Sequence, residues 1–128
     1  MIERGFKLFQ PWATHVVRGK LHLLVRSFST TIRERVAVIA TDVSRRIGAV
    51  GSVAIVNCIK INEQDVKQQL VDLSGNDYWD YYPKYLIPKN TKNGKVFIWV
   101  LRNPREWASP KVVTSKGITW AKTRFDEE

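Results

Sequence analysis

Between residues 10 and 33 the chain carries Gln10-Pro11-Trp12-Ala13, Gly19, Arg26-Ser27-Phe28, Thr30 and Arg33, a helix start followed by a basic, hydroxyl-rich strand end. Arginine grouped with serine and threonine is chemistry for an oxyanion, because a guanidinium offers a fork of N–H donors and the hydroxyls add neutral ones. Phosphate is the anion this set suits. Arg26, Ser27, Thr30 and Arg33 are therefore candidate phosphate ligands. Lys20 and Arg35 would add sequence-independent attraction along a nucleic-acid backbone, and Arg45-Arg46 would widen the patch. Trp12 stands beside them, with core packing weighed ahead of base stacking. The competing role for Arg26 is a salt bridge to Glu34 or Asp42.

These side chains need a scaffold, and the apolar pattern around them supplies one. Gly5 to Phe9 reads as a first strand. Pro11 suits the first turn of a helix, and Trp12, Ala13, Val16 and Val17 share its apolar face up to a stop at Gly19. Leu21 to Phe28 is strand-like, and the nearly all-apolar Arg35 to Ala40 suits a strand buried on both faces. Asp42 to Ile47 adds a helical turn; Val50 to Ile61 is a long strand with a bend or bulge at Gly51, curving around a closed sheet.

The second half is less regular. Asn62-Glu63-Gln64-Asp65 caps a short helix to about Leu70, and Ser74-Gly75-Asn76-Asp77 is turn chemistry. Tyr78, Trp79, Tyr81, Tyr82 and Tyr85 then form an aromatic group, read as the packed underside of an irregular flap ahead of a surface for stacking bases. Asn93-Gly94 leads into the strand Lys95 to Leu101, closed by Asn103-Pro104. Lys111 to Thr114 and Gly117 to Lys122 are the last strands, with residues 123–128 a frayed tail. The expectation is one domain over residues 1–128, mainly β with short helices (α+β), folded as a small β-barrel with helices at its rim.

Twenty-one Lys and Arg against twelve Asp and Glu give a net charge of +9, which favours polyanionic partners. The excess lies at the front: Met1 to Lys60 contain ten basic and three acidic side chains (+7), Ile61 to Glu128 eleven and nine (+2). Cys58 is the one cysteine, read as a buried thiol, and His15, His22 and Cys58 have no zinc-ligand spacing, so neither metal nor cofactor is expected. No apolar run approaches a membrane span and Met1-Ile2-Glu3-Arg4 is unlike a signal peptide, so the reading is a cytoplasmic protein without a membrane partner; a monomer is the expectation, although nothing in the sequence fixes the oligomeric state.

Taken in order from Phe6 to about Lys122, the chain resembles the ASCH family, the activating signal cointegrator homology domains of the PUA-like superfamily. The resemblance rests on Gln10-Pro11-Trp12-Ala13, Gly19, Arg26-Ser27-Phe28, Thr30, Arg33, Ala40, Gly51-Ser52-Val53 and Asn57-Cys58, then Phe97-Ile98-Trp99-Val100-Leu101, Asn103-Pro104, Pro110, Lys116-Gly117 and Trp120. It implies a small PUA-like barrel with a cleft beside the first helix that takes nucleic acid, RNA ahead of DNA, in single-stranded or loop form. Many members carry Gly-x-Lys-x-x-Glu-x-Arg after the helix, and a hydrolytic branch has lysine and threonine at the third and sixth places. Here those places are Leu21 and Leu24, which can act as neither nucleophile nor base. A binding module is the leading reading; an RNA-directed hydrolase (ribonuclease or modified-nucleoside amidohydrolase) and a transcription or translation adaptor with a protein partner are the alternatives.

Overall fold

A computed structural model describes residues 1–41, 47–113 and 119–127. Six strands form one sheet in the order β2-β5-β4-β3-β1-β6. They are β1 (Ile2–Phe9), β2 (Leu23–Arg26), β3 (Arg35–Thr41), β4 (Ile47–Asn62), β5 (Lys95–Val112) and β6 (Trp120–Phe125), with helices α1 (Trp12–Val17), α2 (Val66–Ser74) and α3 (Asn76–Tyr81). The mainly β, short-helix class is as expected, but the sheet is not closed: β2 and β6 are its two edges. The expected turn from Asp42 falls mostly outside the described residues, as do Arg45, Arg46 and Lys116.

The residues fall into two compact units, and each is taken by itself. The first comprises Met1–His22, Arg33–Ile55 and Leu101–Glu128. Its centre is β3, where Val36 to Ala40 are all buried, as an uninterrupted apolar run requires of a strand covered on both faces. β1 runs parallel to β3, pairing Phe6 with Val38, and antiparallel to β6, pairing Gly5 with Ala121. Ile2, Ala37, Ile39, Ala49, Val113 and Ala121 make a tight core against which Trp107 and Phe125 pack.

β4 answers β3 with a register shift, Val38 opposite Gly51 and Ile39 opposite Ala49, so Val50 is the extra residue of a bulge where the sequence placed one. Gly51 itself is required by a close approach. A Cβ there would lie 2.1 Å from the Arg105 carbonyl oxygen and 2.7 Å from Val17 Cγ1. α1 buries Ala13, Val16 and Val17, packing on β3 and β1, and Val17 comes down over β4 at the one point where that strand has no side chain. Gln10 caps α1, its Oε1 accepting from the Thr14 N–H at 3.1 Å and the Thr14 hydroxyl at 3.0 Å. Gly19 ends it at φ +81, where the Gly19 and Lys20 N–H groups bond the Val16 and His15 carbonyls.

Two expectations at this end of the chain are corrected. Asn103-Pro104 does not close β5: Asn103 adopts φ 51, a left-handed backbone asparagine tolerates, and the strand bends and continues to Val112. Nor does the chain fray from residue 123, because β6 extends to Phe125, the Thr123 hydroxyl donates to the Ile2 carbonyl at 3.1 Å, and Glu127 is bonded.

The second unit is Leu23–Ile32 with Val56–Val100. β2 pairs antiparallel with the start of β5, Leu24 opposite Trp99 and Arg26 opposite Phe97. Because β2 is an edge strand, one row of its backbone groups lacks a strand partner, and two tyrosines supply one. The Tyr78 hydroxyl accepts from the Leu23 N–H (3.1 Å) and donates to the Leu23 carbonyl (2.7 Å); the Tyr82 hydroxyl accepts from the Val25 N–H (2.9 Å). The aromatic segment is therefore helical packing rather than an irregular flap, with Tyr78 and Tyr82 buried and Tyr81 and Tyr85 exposed. α2, expected to stop near Leu70, runs to Ser74 after a 3-10 turn at Glu63–Asp65, and the Gly75 N–H closes it on Val71. Cys58, read as buried, is half-buried on β4.

Burial pushes the Tyr82 phenol up to about 12, against the opposing pull of the Val25 N–H and the Arg26 charge. The folded state therefore holds a proton that the unfolded chain releases near pH 10, and stability declines as pH rises from about 10 toward 12. Tyr82→Phe leaves the buried Val25 N–H unpaired and should cost about 1–3 kcal/mol at neutral pH, with a flatter alkaline decline. Urea midpoints measured at pH 7 and across the alkaline range check both effects.

Candidate functional site

Arg26 ends β2, and its guanidinium lies over two rings, 5.2 Å from the Phe28 centroid and 5.1 Å from that of Trp99. Register explains the geometry. With Leu24 opposite Trp99, Arg26 is the diagonal neighbour of the indole on an antiparallel pair, within reach of a long side chain. The rings meet edge to face at 5.4 Å and 87°, and the Trp99 Nε1–H donates to the Phe28 carbonyl at 3.2 Å, pinning the loop that follows the strand. Trp99 is fully buried; Arg26 is half-buried, and burial lowers its pKa while Tyr82 raises it.

Among the described residues no carboxylate pairs with Arg26 and no oxygen accepts from its N–H groups. Glu34 pairs instead with Arg4 at 3.8 Å, and Asp42 lies outside the described residues. The guanidinium thus rests against two rings, with no carboxylate among the described residues beside it. Ser27 beside it is exposed. Thr30 is buried, its Oγ1 accepting from the Ile32 N–H at 3.1 Å, so this hydroxyl shapes the loop.

Arg26, Ser27 and Thr30 belong to the second unit, while Trp12, Lys20, Arg33 and Arg35 belong to the first. Trp12 is half-buried at the start of α1, edge to face with His15 at 5.4 Å. Lys20 follows the Gly19 turn and is exposed, as is Arg33. Leu21 and Leu24 are fully buried. Arg35 is spent on structure: its Nη1 donates to Ser52 Oγ at 2.9 Å, its Nη2 to the Asn103 carbonyl at 2.8 Å, and its Nε lies 3.7 Å from Glu127.

Among the described residues no group of three or more His, Cys, Asp or Glu could hold a metal ion, and no helix is long and apolar enough to cross a membrane. The His22 pKa is lowered by burial and then by Arg102. The role of Trp99 beside Arg26 is not legible in the sequence because it depends on which residue of Lys95 to Leu101 faces Leu24, and that of Tyr82 because it depends on β2 being an edge.

No family model and no curated protein sequence matches the chain. Solved structures do, and the likeness is one of mainly β fold with short helices. The fold is that of ASCH domains: the crystal structure of an ASCH protein from Zymomonas mobilis aligns at TM-score 0.68 over 95% of this chain and 87% of that one, at 16% identity. A serine-to-alanine mutant of the Zymomonas mobilis protein aligns at 0.67 over 95% and 88%, and a tyrosine-to-phenylalanine mutant at 0.64 over 97% and 91%, each at 16% identity.

Proposed function

We propose that the protein is a nucleic-acid-binding module that takes single-stranded or loop RNA by its phosphate backbone. The observation that carries this reading is the Arg26 guanidinium, aligned by Phe28 and Trp99 and unopposed by a carboxylate among the described residues. Its planar fork matches two phosphate oxygens, and the exposed Ser27 hydroxyl adds a donor. On the first unit, and considered separately, Lys20 and Arg33 are candidates for backbone attraction and Trp12 for a stacked base, in keeping with the surplus of basic residues in Met1 to Lys60. Arg35 is left out of the set, its Nη donors being bonded to Ser52 and the Asn103 carbonyl.

Titrating fluorescent RNA and DNA oligonucleotides, single-stranded and duplex, tests the reading. Single-stranded RNA should bind tightest, and equal affinity for all four would contradict it. Cleavage of the RNA, or deacetylation of acetylated cytidine, would move the protein to the hydrolase reading despite the buried leucines at 21 and 24. Tight retention of a protein after nuclease treatment would favour the adaptor.

A further inference from the structure

In the first unit a second group of anion-directed donors converges on a carboxylate of the chain itself. Glu127 Oε1 accepts from Arg105 Nη1 at 2.7 Å, and Oε2 accepts from the Trp107 indole N–H at 2.8 Å and from the Ser52 hydroxyl. Arg35 completes the ring, its Nε 3.7 Å from Oε1 and its Nη1 bonded to the same Ser52 oxygen. Ser52 is fully buried, and the Glu127 side chain is only 10% exposed, whereas Arg105 is 56% exposed and keeps one side open to solvent. These donors hold the Glu127 pKa below its ordinary value despite the desolvation that opposes them.

We propose that Arg35, Arg105, Ser52 and Trp107 form a binding site for a phosphate dianion, which Glu127 occupies as a displaceable internal ligand. Two guanidiniums, a hydroxyl and an indole N–H offer more donors than two carboxylate oxygens can use, and one glutamate leaves the arginine pair with a net positive charge that a dianion would cancel. The occupant lies beyond the last strand. β6 ends at Phe125, and the intervening Asp126 is held through its carbonyl by Lys111 Nζ at 3.1 Å, a cation that itself rests 4.7 Å from the Trp107 ring. The shared chemistry is a phosphate carrying two charges, whether inorganic or the terminal phosphate of a nucleic-acid strand. The inorganic case stands on this geometry alone, and the strand-end case rests on the RNA-binding reading.

The test follows the Trp107 indole N–H resonance while inorganic phosphate is added. In the intact protein the signal should move as phosphate displaces the carboxylate, and in Glu127→Ala phosphate should bind at least about tenfold more tightly, the tethered competitor being gone. Adding Arg105→Ala to that variant should abolish the gain. An unmoved indole signal in the intact protein, or a folded Glu127→Ala with unchanged phosphate affinity, overturns the proposal. Should Glu127→Ala not fold, the intact-protein titration decides alone. Oligonucleotides with a 5′-phosphate or a 5′-hydroxyl then separate the two sources: preference for the phosphorylated end identifies a strand terminus, and equal binding beside a phosphate-induced indole shift identifies the free ion. Arg26→Ala leaves the indole shift intact, so loss of strand binding and loss of this site are read separately.

Discussion

Gly51→Ala should prevent the protein from folding to a stable state, lowering stability by about 3 kcal/mol or more. The new methyl would meet the Arg105 carbonyl at 2.1 Å and Val17 at 2.7 and 3.0 Å. A flexible side chain could swing away, but the first obstacle is backbone of β5 and the second belongs to α1, so relief requires moving one or both elements. Gly48→Ala is the control in the same strand. Its methyl would find Pro110 Cβ at 3.5 Å, an ordinary contact, and should change stability by less than about 1 kcal/mol. Thermal and urea melts of the two variants check the contrast; equal behaviour would mean that the α1 packing is not as described.

Trp99→Ala should have the second large effect, about 3–5 kcal/mol, because it empties the space of a fully buried indole. It also removes one of the two rings that orient Arg26 and the N–H that anchors Phe28. RNA affinity measured at low temperature, on protein that circular dichroism shows to be folded, should fall to the level of an Arg26 deletion. Trp99→Phe keeps a ring but loses the donor, and should lie between. A folded Trp99→Ala protein with full affinity would separate the indole from the site.

The first half of the chain was readable because its signals are local and agree with one another. Pro11 and Gly19 bracket α1, the apolar run Val36 to Ala40 marks the buried β3, and Gly51 marks the bulge. Beyond residue 60 local chemistry misleads. Asn103-Pro104 is a stop signal in isolation, yet β5 runs on through it to Val112, Asn103 taking the left-handed backbone. The packing of the aromatics from Tyr78 is legible, but not that the Tyr78 and Tyr82 hydroxyls serve the bare edge of β2. Of the site, residue types were legible and partners were not. Arg26 faces rings rather than Glu34, and Arg35 faces a carboxylate 92 positions away, because both outcomes depend on strand register and chain path, which composition does not encode.

The central claim is that the stacked guanidinium of Arg26 grips phosphate. Its most direct test is the affinity of the protein and of Arg26→Ala for one single-stranded RNA across a range of salt. With about four phosphates engaged, log affinity should fall against log salt with a slope of roughly −3, and the variant should bind about ten- to a hundredfold more weakly with a slope shallower by roughly 0.7. A slope near zero, or one that Arg26→Ala leaves unaltered, would contradict it.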